Sequence, residues 1–241
     1  MTEETPACVV FGGSGAVGRE VCRALTARGA RVGFTYLTNE ADDVEGSGKQ
    51  LDVADVAAIE RTLDAFQAEL GRIDAFVNCA AVGTTVAHEG DTAHHLMDDV
   101  NEEAWDRMLD VNVKSTFFAV RRLGTLMRAR GGNIVLLGSI DGVKPAPSPV
   151  HYAASKAALS GMTMAMAKEL GPHNIRVNTI APGILDGGLS RVLPDDLRRE
   201  YLKHCGLKRL GRVEEVANLA AWLAIDNTLV TAQTIVVDGA L

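Results

Sequence analysis

The stretch Ala7-Cys8-Val9-Val10-Phe11-Gly12-Gly13-Ser14-Gly15-Ala16-Val17-Gly18-Arg19-Glu20-Val21-Cys22 decides the fold. Its first five residues are an unbroken apolar run, the pattern of a strand buried on both faces. Gly12 to Gly18 follow as a glycine-rich turn. From Arg19 to Arg28 the apolar positions Val21, Cys22 and Leu25 share one helical face, and Gly29 ends the helix. Arg31 to Tyr36 reads as a second strand, completing a β-turn-α-β unit.

The alternation continues along the chain. Val56 to Leu70 is predicted as an amphipathic helix with Ile59, Leu63 and Phe66 inward, and Ala75 to Cys79 as a strand. One long helix is expected from Trp105 to Arg128, then a strand from Asn133 to Gly138. Tyr152 to Leu170 reads as a helix, Arg176 to Ala181 as a strand, Val213 to Ala224 as a helix and Thr234 to Val237 as a last strand. Short apolar strands separated by helices imply an α/β fold, a doubly wound parallel sheet with helices on both faces. No repeat, low-complexity tract or linker divides residues 1–241, so one domain is expected. Two segments break the rhythm: polar, His-rich residues 82–101, and residues 186–209 after a Pro-Gly turn. Both follow strands, and loops beyond the carboxyl ends of parallel strands build ligand sites, so both are read as substrate-side loops.

Composition narrows the function. Net charge is −7 with no run of Lys or Arg, which disfavours nucleic-acid binding. No apolar stretch is long enough to span a bilayer, and Met1 to Pro6 lacks the pattern of a secretory signal. The four cysteines, Cys8, Cys22, Cys79 and Cys205, form no C-x-x-C pair; a reduced, cytoplasmic setting is expected. His88, His94 and His95 have no Cys or paired acid to complete a metal set, so no metal site is expected. Met162, Met164 and Met166 alternate within a helix and cannot form one stripe.

The turn carries a chemical signal. Glycines between a strand and a helix allow positive φ and close approach of backbone to a pyrophosphate. The helix N-terminus adds unpaired N–H groups and a favourable dipole. A second signal lies in His151-Tyr152-Ala153-Ala154-Ser155-Lys156. Residues four apart share a helical face, so Tyr152 and Lys156 can enter one cleft. A free phenol has a pKa near ~10, and a nearby ammonium favours its ionisation. Taken alone, such a pair would be a surface pair. Here Ser139 ends the preceding strand, thirteen residues before Tyr152, where a hydroxyl can orient a substrate oxygen.

Phe11-Gly12-Gly13-Ser14-Gly15-Ala16-Val17-Gly18 resembles the T-G-x-x-x-G-x-G turn of the short-chain dehydrogenase/reductase family, with Phe11 for the Thr and Ala16 for the middle Gly. Asn112, within Asp110-Val111-Asn112-Val113, together with Ser139, Tyr152 and Lys156 matches the family's catalytic positions in order and spacing. Leu51-Asp52-Val53, Val77-Asn78-Cys79-Ala80-Ala81, Ile180-Ala181-Pro182-Gly183 and Val237-Asp238-Gly239 extend the likeness over essentially the whole chain. Cys79 and Ala81 depart from the family's N-N-A-G, and Ala232 and Ala240 stand where glycines are usual. Gly187 replaces a Thr that usually contacts the nicotinamide carboxamide; Ser190 or backbone is expected to compensate.

The resemblance implies a Rossmann-type domain and hydride transfer between a nicotinamide and a carbonyl or alcohol carbon, with Asn112, Ser139, Tyr152 and Lys156 catalytic. It implies dinucleotide contacts from Gly12, Ser14, Gly15, Ala16, Val17 and Gly18 and from Tyr36. Asp52 and Val53 would contact adenine, and Asn78, which also stabilises the sheet, and Ala80 would follow. Tyr152, Lys156 (on the nicotinamide ribose), Pro182, Gly183 and Leu185 complete the set. No acid ends the second strand: Tyr36 stands there, followed by Leu37, Thr38 and Asn39. NADP(H) is therefore favoured over NAD(H), although Gly15 stands where many NADP-dependent relatives carry a basic residue.

Within the family the pattern is most similar to 3-oxoacyl-(acyl-carrier-protein) reductases, notably over residues 189–217. A 3-oxoacyl thioester or related ketone is the expected substrate. An NAD-dependent dehydrogenase of a cyclic, sugar or steroid alcohol is the alternative, and a non-catalytic dinucleotide sensor a third reading. Arg128 and Arg130 could meet an acidic acyl carrier protein, or simply complement a helix C-terminus. The resemblance also implies a homotetramer, joined through the helices of Trp105–Arg128 and Tyr152–Leu170.

Overall fold

The computed structural model describes residues 5–83, 97–146 and 148–241. Most of the expected 82–101 loop, with His88, His94 and His95, lies outside the described residues. Seven parallel strands form one sheet in the order β3-β2-β1-β4-β5-β6-β7. They are β1 (Ala7–Phe11), β2 (Arg31–Tyr36), β3 (Ser47–Gln50), β4 (Ala75–Asn78), β5 (Gly132–Leu137), β6 (Ile175–Pro182) and β7 (Thr234–Val237). The helices are α1 (Ala16–Thr26), α2 (Val56–Leu70), α3 (Glu102–Leu109), α4 (Ser115–Leu126), α5 (Val150–Leu170), α6 (Asp195–His204) and α7 (Val213–Ile225).

The run in β1 is apolar throughout because both of its faces are covered. Ala7, Val9 and Phe11 join a core with Ile59, Leu63 and Phe66 of α2 and Leu123 of α4. Cys8 and Val10 point the other way, into a core with Val21, Cys22 and Leu25 of α1 and Val216, Ala220 and Ala221 of α7. Burying a side chain such as Phe66, fully enclosed here, contributes roughly 2–3 kcal/mol. Gly33 leaves room for that ring: a Cβ there would lie 2.5 Å from it. The α2 helix starts at Asp55, whose carboxylate accepts the Ala58 N–H at 3.0 Å, and stops at left-handed Gly71.

The chain runs outward from β1 through β2 to β3, then crosses to β4 on the other side of β1. A doubly wound sheet opens a crevice at that reversal. Phe11 and Asn78 are paired at its edge, so the glycine turn and the end of β4 meet there.

Two elements differ from expectation. The β3 strand, Ser-Gly-Lys-Gln, has no apolar residue to mark it; it forms by edge pairing with β2, Gly33 opposite Ser47. The expected long helix is interrupted by a π-helical turn over Asp110–Lys114, between α3 and α4. Around that turn the Ser115 hydroxyl donates to the Val111 carbonyl at 2.5 Å and the Thr116 hydroxyl to the Asn112 carbonyl at 3.0 Å. Such side-chain bonds compete with the helical ladder and are invisible to hydrophobic periodicity. Of the methionines, Met162 and Met166 pack on the core, whereas Met164 is exposed.

Candidate active site

At the switch point the turn between β1 and α1 is built so that only hydrogen fits at Gly12, Gly13 and Gly18. Gly12 is left-handed, at φ +70°, and a Cβ there would lie 2.8 Å from the Ala80 backbone nitrogen. A Cβ on Gly18 would lie 2.1 Å from the Gly12 carbonyl oxygen. The Gly12 N–H donates to the Thr35 hydroxyl at 3.0 Å, fixing the turn to β2. Gly15 is the N-cap of α1; no side chain caps the helix and no acid stands in its first turn. The first-turn amides from Ala16 onward are thus left to an anion. The Ala16 methyl is accommodated: a Cβ added to Gly188, its neighbour across the cleft, would still be 3.9 Å away. A cradle that a side chain would fill, beside an uncapped helix N-terminus, fits the pyrophosphate of a dinucleotide.

The other expected dinucleotide positions follow the same edge. Tyr36 ends β2 half-buried, and its carbonyl accepts the Leu51 N–H at 2.8 Å, which brings Asp52 and Val53 alongside. Val53 is buried, and Asp52 accepts the Ala54 N–H at 2.9 Å. Asn78 is buried; its amide donates to the Thr116 hydroxyl at 2.8 Å and its oxygen accepts the Ala80 N–H at 3.2 Å. Pro182, Gly183 and Leu185 line the facing wall. Gly183 is crowded by Tyr201, whose hydroxyl a Cβ would meet at 2.3 Å. Ser190 turns back on its own segment and accepts the Leu185 N–H at 3.3 Å. One nearby residue was not anticipated: Arg19, whose Nε donates to the Ser14 carbonyl at 2.8 Å and whose guanidinium pairs with Asp43. A cation one turn into the helix after the glycines is the signal that would have found it.

Tyr152, Lys156 and Ser139 line the same cleft of about 710 Å³ as the glycine turn. Lys156 is 4% exposed. Its Nζ donates to the Leu137 carbonyl at 3.0 Å and lies 5.7 Å from the centre of the Tyr152 ring. Ser139, just past β5, lines the cleft together with Tyr152. Asn112 sits behind this group, in the π-helical turn. Its Nδ2 donates to the Ser155 hydroxyl at 3.0 Å and to the Val82 carbonyl at 3.0 Å, and its Oδ1 accepts the Val82 N–H at 2.9 Å. Asn112 therefore ties α5 to the segment leaving β4. A π-turn re-aims side chains that a continuous helix would direct elsewhere.

Sequence reasoning missed a second polar group, Asp141. Its Oδ2 accepts the Ser139 hydroxyl at 2.7 Å, and it too lines the cleft. The electrostatics follow from burial. Burial pushes the Lys156 ammonium down to about 8, opposed by Cys79 and Asp141. Burial, then the charge of Asp141, raises the Tyr152 phenol well above its ordinary value, with the Ser139 hydrogen bond acting the other way. The shift is opposite to what an ammonium alone would give. Burial likewise raises the Asp141 carboxyl, moderated by Ser139 and Lys156.

The outer cleft is largely apolar, with Ile184, Leu189, Leu193 and Leu197 on its walls. The expected 186–209 loop supplies most of these through a 3-10 turn over 188–192 and α6. Arg128 and Arg130 follow α4 at the amino end of β5, so within one chain they lie at the sheet edge opposite the cleft. No described helix is long and apolar enough to cross a membrane, and no His, Cys, Asp or Glu cluster suited to a metal occurs among the described residues.

The family described as Enoyl-(Acyl carrier protein) reductase matches residues 13–241. The 3-oxoacyl-[acyl-carrier-protein] reductase of Escherichia coli (strain K12) is 32% identical over 250 residues, covering 100% of this chain and 99% of the relative. Among solved structures, a short-chain dehydrogenase/reductase from Serratia marcescens matches with a TM-score of 0.84 at 30% identity, over 98% of this chain and 97% of that one. The 3-oxoacyl-[acyl-carrier protein] reductase of Brucella melitensis matches with a TM-score of 0.84 at 30% identity, over 100% of this chain and 92% of that one. The chain belongs to the short-chain dehydrogenase/reductase family of oxidoreductases.

Proposed function

We propose that this chain, as one domain over residues 1–241, reduces the ketone of a 3-oxoacyl thioester or a related neutral ketone with NADPH. One observation carries the reading: a single cleft holds the anion-receptive glycine turn at one end and Tyr152, Ser139 and Lys156 at the other. A bound nicotinamide dinucleotide would supply hydride to the carbonyl carbon. Tyr152 is the proton donor to the carbonyl oxygen, and its raised phenol keeps that proton at neutral pH. Ser139, beside it, positions the oxygen. Two hydroxyls side by side suit the oxygen of a carbonyl better than a carbon-carbon double bond. Lys156 would hold the nicotinamide ribose of a bound dinucleotide, and Asn112 holds the cleft wall at Val82.

The preference for the phosphorylated dinucleotide rests on the neutral end of β2 and on Arg19, a guanidinium held beside Ser14. The thioester is favoured by the apolar outer cleft and by relatives named for substrates on acyl carrier protein, which is the proposed partner. A cytoplasmic homotetramer is part of the same reading; exposed Phe117 on α4 and Met164 on α5 supply apolar faces for such an assembly. The test is a panel of acetoacetyl-CoA, crotonyl-CoA, a cyclic ketone and a keto sugar with NADPH and NADH, followed by nucleotide absorbance. Turnover of acetoacetyl-CoA well above the rest is expected. Turnover of crotonyl-CoA alone, or of the sugar alone, would replace this reading.

A further inference from the structure

Arg19 stands one helical turn beyond Gly15, and its N–H donates to the Gly15 carbonyl at 2.9 Å. Residues four apart share a helical face, and long helical side chains lean back toward the N-terminus. The Arg19 Nε accordingly donates to the Ser14 carbonyl at 2.8 Å. A guanidinium from residue 19 thus reaches the glycine turn, where residue 15 has no side chain to offer. The same guanidinium pairs with Asp43, in the loop between β2 and β3. Arg23, one turn further along α1, donates to the other oxygen of that carboxylate at 2.5 Å and pairs with Glu20. The loop leaves the end of β2, where dinucleotide folds hold the 2′ position of the adenosine ribose. One carboxylate is therefore lodged between two guanidinium groups on the side of the turn that a 2′-phosphate would take. We propose that Asp43 is a specificity-determining residue: it competes with the 2′-phosphate of the dinucleotide for Arg19, and so weakens selection of the phosphorylated cofactor.

The inference rests on the reading of Arg19 as a partner of that phosphate, and deepens it. Charge sets the direction. Arg19 and Arg23 against Glu20 and Asp43 leave the cluster with no net charge, so a phosphate gains Arg19 only as Asp43 gives it up. Glu40, Asp42 and Glu45 in the same loop add to the negative field. The loop does not need the Asp43 ion pairs to stay in place. Ala41 and Val44, on either side of it, are buried in the core that holds Val21 and Cys22 of α1. The Val44 N–H also donates to the Ala41 carbonyl at 3.1 Å. Asp43 itself is exposed, so one anion can replace the other without unpacking the loop.

The test is a calorimetric titration of NADP⁺ and of NAD⁺ into the wild type and Asp43→Asn, in low-salt buffer and without substrate. NADP⁺ affinity is expected to rise roughly threefold or more in Asp43→Asn, with NAD⁺ affinity within about twofold of wild type. Asp43→Ala, which removes the acceptor as well as the charge, should behave in the same way. In Arg19→Gln the gain from Asp43→Asn should be lost, because the contested guanidinium is gone. A ratio of the two affinities that Asp43→Asn leaves unchanged or shifts toward NAD⁺ would overturn the proposal. An equal gain in the Arg19→Gln background would overturn it too, since Asp43 would then act without Arg19. If the wild type binds NAD⁺ more tightly than NADP⁺, the preference for the phosphorylated dinucleotide falls, while the change in the ratio still decides what Asp43 does.

Discussion

Replacing Lys156 by methionine should stabilise the dinucleotide-free chain at neutral pH while abolishing most of its turnover. Burial lowers the folded-state ammonium to about 8 from an ordinary value of 10.5. The unfolded chain therefore binds more protons between these values, and stability rises with pH across that window. The cost is complete below pH 8 and gone above 10.5. At 1.36 kcal/mol per unit it amounts to about 3 kcal/mol at pH 7 and about 1 kcal/mol at pH 9.5. Methionine fills a similar volume but leaves the Leu137 carbonyl without its 3.0 Å donor, a loss of about 1 kcal/mol. Lys156→Met should thus be about 2 kcal/mol more stable than wild type at pH 7 and nearly equal to it at pH 9.5. Urea denaturation of both proteins at the two pH values measures this, and comparing the differences removes groups common to both. A difference that does not change with pH would refute a buried, depressed Lys156. Lys156→Arg retains a charge but alters its donor geometry, and should recover only part of the lost rate.

Gly18→Ala forces a Cβ to within 2.1 Å of the Gly12 carbonyl oxygen, so it should cost about 1–3 kcal/mol and weaken dinucleotide binding at least ~10-fold. Thermal melting and a fluorescence titration check it, and unchanged affinity would mean that the turn does not hold the pyrophosphate. Tyr36→Asp places a carboxylate at the end of β2, where it should repel a 2′-phosphate. The ratio of kcat/KM for NADPH to that for NADH should fall by roughly tenfold or more in this variant, and a strong preference of the wild type for NADH would show the end of β2 to be misread.

What was legible in the sequence was whatever leaves a periodic or punctuated trace. The run Ala7–Phe11 is apolar on both faces because the sheet is covered twice, and its continuity alone revealed a buried strand. Tyr152 and Lys156 were paired by helical spacing, and Gly12 and Gly18 by their place between strand and helix. What was missed leaves no such trace. The edge strand β3 is formed by backbone pairing with β2 and carries a polar sequence. The break at Asp110–Lys114 depends on hydroxyls of Ser115 and Thr116 turning onto the backbone, while the surrounding apolar pattern runs on as if helical. Asp141 was overlooked because an acid in a loop is ordinarily solvated. Its meaning comes from the 2.7 Å bond to Ser139, which only the folded chain makes.

The central claim is that Tyr152 donates the proton when hydride reaches a carbonyl carbon. It is tested most directly by Tyr152→Phe, which removes one oxygen from a half-buried ring. The measurement pairs NADPH affinity by fluorescence titration with single-turnover reduction of acetoacetyl-CoA. Affinity within about twofold of wild type and a rate lower by roughly 10²–10⁴ are expected, the usual contribution of a general acid. A Tyr152→Phe protein that binds NADPH and turns over at the wild-type rate would contradict the account.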